Sequence, residues 1–222
     1  MKYRNLLLQL ARLTSMLVLC AQLPLSQAQD RAIRLIVPFP PGGSTDITAR
    51  LLAEPMTRIL GQTVIVENRG GAGGSIGMTE VAKAAPDGTI FGVATVSTHG
   101  VNPAVYKSLP YDPIKNFAPV TELVQAPGVL VVHPSLPVNN FAEFLAYLKA
   151  NPDKLSFGSP GIGTSVHVSG ELFKSMTGTS MQHVPYKGRQ FAIPDLVGGQ
   201  IQVMFDNIVA LMPHCLSSFL SV

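Results

Sequence analysis

The stretch AIRLIVPFPPGGSTDITARLLAEPMTRILGQTVIVENRGGAGGSIG (32–77) decides how this chain folds. AIRLIVPF (32–39) is a short apolar run closed by Pro40-Pro41-Gly42-Gly43, which reads as a strand ending in a turn. Residues 44–61 then switch to helical spacing, with Ile47, Leu51, Leu52, Met56, Ile59 and Leu60 on one broad face. Ser44 or Thr45 suits the N-cap and Gly61 the C-terminus, and Pro55 predicts a kink. TVIVE (63–67) is a β-branched strand, followed by the loop NRGGAGGS (68–75), a helix over 76–85 and a turn at Pro86-Asp87-Gly88. TIFGVATV (89–96) supplies a third strand, and the βαβαβ order predicts a parallel sheet flanked by helices.

Downstream, turns at Asn102-Pro103 and Tyr111-Asp112-Pro113 precede two expected strands, FAPVTELV (117–124) and GVLVVHP (128–134). A second βα series follows: helix 139–152, strand 155–159, loop 160–164, helix 165–178, strand 181–186, helix 189–198 and strand 200–206. The chain thus reads as two α/β units in tandem, 29–124 and 125–222, with the changeover near 122–128.

Residues 1–28 have a different character. Lys2, Arg4 and Arg12 precede an apolar run from Leu13 to about Leu25, and Ser26-Gln27-Ala28 offers small residues for cleavage. This order predicts a signal peptide cut after Ala28 and export to the periplasm. The run is shorter than the roughly 20 residues a bilayer requires. Leu19 before Cys20 argues against lipidation. Of 16 basic and 13 acidic residues, the three surplus cations lie in this leader, so residues 29–222 are formally neutral. The sequence pI near 9.0 therefore describes the leader. With no basic stripe interleaved with aromatics, a nucleic-acid partner is not expected. Cys215 is the single cysteine beyond the leader, which excludes an internal disulfide there and leaves an unusual lone thiol.

Three segments share one design, a strand, a Gly/Ser/Thr loop and a helix start: PFPPGGSTD (38–46), ENRGGAGGSIG (67–77) and GSPGIGTSVH (158–167). Helix starts present unpaired N–H groups and a partial positive charge, and glycine lets a ligand approach the backbone, so the three loops together favour an anion. Asp46, in a helix first turn, complements the dipole. No Walker loop or G-x-G-x-x-G occurs. Gly73-Gly74-Ser75-Ile76-Gly77 matches the hydrolase elbow G-x-S-x-G, but Ser75 lies well past the end of its strand, and a Gly loop with a capping serine explains the match better. His99, His133, His167, His183 and His214 lack metal-ligand spacing; His167 and His183 are expected to orient loops or fill half-buried sites. Lys187-Gly188-Arg189 reads as a solvated turn.

PFPPGGSTDITAR (38–50), ENRGGAGGSIG (67–77), VAKAAPDG (81–88), LPYDPIKNFAPV (109–120), HPSLPV (133–138), GSPGIGTSVHVSGELFK (158–174), HVPYKG (183–188) and DLVGGQIQVMFDN (195–207) together resemble the Bug-type, tripartite tricarboxylate transporter substrate-binding proteins. The resemblance implies a type II periplasmic binding-protein fold, two α/β lobes joined by a hinge, working as a monomer with no cofactor and no metal. It implies a small carboxylate ligand (a di- or tricarboxylate, an aromatic acid or an acidic amino acid) handed to membrane transporter subunits without chemistry. On that match Pro41, Gly42, Gly43, Ser44 and Asp46 line one wall, and Ala72, Gly73, Gly74 and Ser75 the next. Ser97 and Thr98 close the first lobe, while Ser159, Gly163, Thr164 and Asp206 face them from the second. Binding rests on backbone N–H groups, hydroxyls and water, without an arginine clamp. Gly70 stands where the family commonly has proline. The resemblance breaks at about His214, before the family's return segments, which predicts an incomplete second lobe, an open sheet edge and uncovered apolar surface. Two alternatives from other classes are a secreted serine hydrolase using Ser75 and a remnant that does not bind.

Overall fold

Ile33, Leu35, Ile36 and Val37 are all buried, and this places β1 (Ile33–Val37) in the middle of the first sheet. It pairs in parallel with β2 (Val64–Asn68) and β3 (Ile90–Gly92), giving the order β2-β1-β3. Parallel neighbours require crossovers, here α1 (Ser44–Leu60) and α2 (Ser75–Ala82). This computed structural model describes residues 31–216. The expected signal peptide, with Cys20, lies outside the described residues.

α1 ends as its sequence requires, on Gly61 at φ 65 with its N–H bonded to Thr57 O, and it runs on through Pro55. Its start and its face depart from expectation. The N-cap is Gly43, with no side-chain cap, so neither Ser44 nor Thr45 serves there. The side laid on the sheet carries Ala49, fully buried, with Ala53 and Met56 against the same cluster. Spacing of i, i+4 and i+7 makes that a stripe of smaller residues, which lets the helix sit close to β1 and β2. Leu51 (72% exposed) and Ile59 (82%) point away, with Ile47 and Leu60 also exposed.

The expected strand 89–96 stops at Gly92. Thr95 and Thr98 cap each other reciprocally and open a π-helical turn, Val96–Val101, that runs into α3 (Asn102–Val105) in place of the expected turn. FAPVTELV (117–124) forms no strand. No ladder partner reaches it among the described residues, Pro119 removes one donor, and Val120, Leu123 and Val124 are exposed.

The second sheet has the order β4-β7-β5-β6, from β4 (Gly128–Val132), β5 (Ser156–Ser159), β6 (Gln182–Pro185) and β7 (Val203–Asn207). β4 is antiparallel to β7 and the other pairs are parallel. Pro185 sits on the edge strand, where a missing N–H costs least. α4 (Phe141–Ala150), α5 (Ser165–Thr177), α6 (Arg189–Val197) and α7 (Ile208–Leu216) cover it. Two apolar clusters lie against this sheet, one around Val131, Leu196 and Met204 and one around Phe144, Phe157 and Val203. Cys215 is partly buried against the first of them. No helix among the described residues is long and apolar enough to cross a membrane.

Candidate functional site

In both sheets the parallel strands deliver their carboxyl ends to one side, and the loops that follow β1, β2, β5 and β6 meet there. They enclose a cleft of ≈ 690 Å³ lined by Phe39, Pro40 and Pro41 after β1, Asn68 and Gly70 to Gly74 after β2, and Pro160, Gly161, Ile162 and Thr164 after β5. Pro185, Tyr186, Lys187 and the ring of Tyr106 complete it. Lys187 is the one charged side chain in this lining. Ligands of open α/β sheets bind in such places.

The loop after β2 has an unusual backbone. Gly71, Ala72, Gly73 and Gly74 all have positive φ (126, 46, 62 and 90). Three of the four are glycine because L-residues avoid that region; Ala72 takes it at some cost. A Cβ on Gly74 would stand 2.6 Å from Thr98 Cγ2, so this glycine also makes room for the neighbouring turn.

Asp46 ties the first two loops together. Its carboxylate accepts from Gly42 N (2.9 Å), Arg50 Nε (3.0 Å) and Asn68 Nδ2 (3.0 Å), and Asn68 also donates to Phe39 O. Burial pushes its pKa up, but the bonds from Arg50, Gly42 and Asn68 outweigh this and hold it below the usual aspartate value. Asp46 is thus a positioning group whose lone pairs are already engaged.

In the second sheet Ser159 Oγ lies 2.7 Å from His183 Nε2 and 3.2 Å from Gly161 N, fixing the start of the third loop. Thr164 caps α5 and donates to Gly161 O (2.7 Å). Gly163 donates to His167 Nδ1 (3.4 Å), and the two imidazoles stack with centroids 4.2 Å apart. His167 and His183 therefore orient the loop, as the sequence suggested. Burial, followed by His167, pushes His183 down to about 4.

Of the residues expected to line the site, Pro41, Ala72, Gly73, Gly74 and Thr164 do line the cleft. Gly42, Gly43, Ser75, Thr98, Ser159, Gly163 and Asp206 are not among its lining residues. Ser44 and Ser97 bridge the loops of the two sheets. Ser97 Oγ accepts from Ser165 N (2.9 Å), so the first sheet's turn satisfies a first-turn donor of α5. Ser44 Oγ accepts from Asn207 Nδ2 (3.0 Å) and Arg189 Nη1 (3.3 Å).

Arg189 corrects the expectation of a solvated turn. Its guanidinium is largely buried, holds Asp206 in a two-pronged ion pair and reaches Ser44 at the start of α1. HVPYKGRQF (183–191) has the same strand–glycine–helix design as the three loops singled out, and that signal could have found it. Tyr106 carried no comparable signal. Ser75 is buried, and Gly74, not Ser75, is the N-cap of α2. The ring bonds of His99, His133, His167 and His183 go to Thr98, Ser135, Gly163 and Ser159, so none of them serves Ser75 as the base a serine hydrolase requires.

Residues 48–220 match the tripartite tricarboxylate transporter family receptor. Among curated relatives, protein BugT of Bordetella pertussis is 39% identical over 185 residues, which are 83% of this chain and 57% of BugT. The chain spans little more than half the length of the curated relatives it matches. Among solved structures, a periplasmic transporter is 53% identical with a TM-score of 0.82, covering 85% of this chain and 63% of the other. An R. palustris protein solved with adipate is 37% identical (TM-score 0.83; 86% and 64% covered). MatC from Rhodopseudomonas palustris, solved with malate, is 35% identical (TM-score 0.80; 86% and 65% covered).

Proposed function

This chain belongs to the tripartite tricarboxylate transporter receptor family, and we propose that it captures a small carboxylate outside the cytoplasm for delivery to a membrane transporter. The observation that carries the reading is the cleft. Glycine loops from both sheets meet there at helix starts, and Lys187 is the one charged group in its lining. Backbone N–H groups and helix dipoles favour an anion while leaving its shape to be read by side chains. The solved relatives that hold malate and adipate support a dicarboxylate of similar size. The same reading assigns residues 29–124 and 125–222 to two lobes that close on the ligand, within a monomer. Pro41, Ala72, Gly73, Gly74 and Thr164 contact it, and Ser44, Ser97, Arg189 and Asp206 hold the closed form. The membership argues for binding without chemistry, as does Ser75 without a histidine.

Isothermal calorimetry on the purified chain with malate, adipate, citrate, benzoate and aspartate tests this. At least one of them should bind saturably, with one site per chain. Silence across the whole panel would sink the carboxylate reading.

A further inference from the structure

We propose that Tyr106 sets the length of ligand that the cleft accepts; the inference rests on the carboxylate reading above. Tyr106 follows α3, and its N–H is bonded to Asn102 O (3.0 Å). Asn102 is fully buried and donates through Nδ2 to Gly73 O (3.1 Å) and to Tyr111 Oη (3.4 Å). Tyr111 in turn donates to Thr98 O (2.6 Å). The base of the side chain is therefore anchored in the first sheet's loops.

The ring crosses to the other sheet. A Cβ placed on Gly73 would stand 3.0 Å from Tyr106 Oη, and one placed on Gly163 would stand 3.1 Å from Tyr106 Cε2. Tyr106 Oη is also 3.5 Å from Ile162 O. The phenol thus bridges two glycines of opposite loops, both at positive φ, and forms a wall of the cleft. A ligand whose carboxylate sits on the glycine loops ends where this ring begins.

Asn102 Oδ1 gives an independent sign that the ring covers usable space. It is buried without a hydrogen-bond partner and lies 3.0 Å from the same point above Gly73 that Tyr106 Oη flanks. A buried acceptor left unpaired is costly and rare. With the ring removed, the longer cavity would end near an acceptor able to take a bond from water or from a ligand hydroxyl.

The test is calorimetry on the full chain with the unbranched dicarboxylate series from succinate to suberate, comparing wild type with Tyr106→Ala, Tyr106→Leu and Tyr106→Phe. Wild type should favour the short members. Tyr106→Ala should shift the suberate-to-succinate affinity ratio by about tenfold or more towards suberate, and Tyr106→Leu, which keeps an apolar filler if the alanine variant folds poorly, should shift it the same way by less. Tyr106→Phe should keep the wild-type ratio, because ring volume and not the hydroxyl sets the length. If wild type binds but neither Tyr106→Ala nor Tyr106→Leu changes the ratio, Tyr106 is not the gauge, and the carboxylate reading stands without it. If wild type binds no member, the length gauge falls, and the carboxylate reading is decided by the wider panel above.

Discussion

Against the second sheet two apolar clusters pack, centred on Leu196 and Met204 and on Phe157 and Val203. Against the first, one smaller cluster gathers around Leu35, Val37 and Ala49, and much of the rest is held by charge. Arg34 forks onto Glu67 (2.6 and 2.8 Å) and reaches Glu80 (2.6 Å), while Arg69 bonds both acids. Most of α1's large apolar side chains face away from this sheet. The two regions therefore do different work. The second sheet is a packed platform, whereas the first is a light scaffold whose loops are fixed by polar tethers such as Asp46. Half-exposed ion pairs contribute little each, so the first sheet should be the softer of the two.

The largest effect that sharpens this contrast is Phe157→Ala. Phe157 is fully buried between α5 and β7, touching His183 and Phe205. Its truncation should cost about 3–5 kcal/mol, read in urea melts, with amide exchange rising first in β5, β6 and β7. Equal loosening of β1 and β2 would break the contrast.

Next is Arg189→Met. Asp206 would be left buried and unpaired, and loss of one partner of such a pair costs roughly 3 kcal/mol or more. The start of α1, linked through Ser44, should exchange faster too. Arg189→Lys should recover only part of this, because an ammonium cannot make the two-pronged contact. An unchanged melt for Arg189→Met would mean the bridge between the sheets carries no weight.

Acid separates the two sheets in a third way. His183 titrates at about 4 in the fold and at 6.5 when free, so its neutral form is the folded one. That contribution is complete above about 6.5 and is lost as pH falls towards 4. His167, Glu171 and Lys174 face it from α5, with Ser159 from β5. Asp46, held below 3.8, keeps its contribution until the pH drops through the carboxylate range. Protection factors, corrected for the intrinsic pH dependence of exchange, should therefore fall in β5 and β6 before they fall at Gly42 and Asn68 between pH 7 and 4.5. His183→Gln should flatten the first trend, and a flat profile in the parent chain would contradict it.

The smallest effect concerns the outer face of α1. Ile59→Lys should leave stability within about 0.5 kcal/mol while lowering the binding of a hydrophobic dye. A loss of several kcal/mol would show that Ile59 is packed after all.

The alternation of strands and helices and the three glycine loops were legible because each is a local pattern: β-branched runs, a turn, then a helix start. Gly61 and Gly178 both end their helices as read. The errors arose where tertiary context decides. The apolar spacing of α1 located the helix, but the smaller residues Ala49 and Ala53 chose its buried side. FAPVTELV has strand composition and lacks a partner. Arg189 and Tyr106 act across the two sheets, separated from Ser44 and Gly163 by long stretches of chain, so no window of sequence shows what they touch. Their roles emerge only when the two sets of loops face each other.

If loops of both sheets hold one ligand, hydrogen–deuterium exchange with and without a saturating dicarboxylate will register it. Exchange should slow together at Gly71 to Gly74 and at Gly161 to Ser165, with the same midpoint in ligand concentration. Protection confined to one of these loops, or appearing only at surfaces outside the cleft, would contradict it.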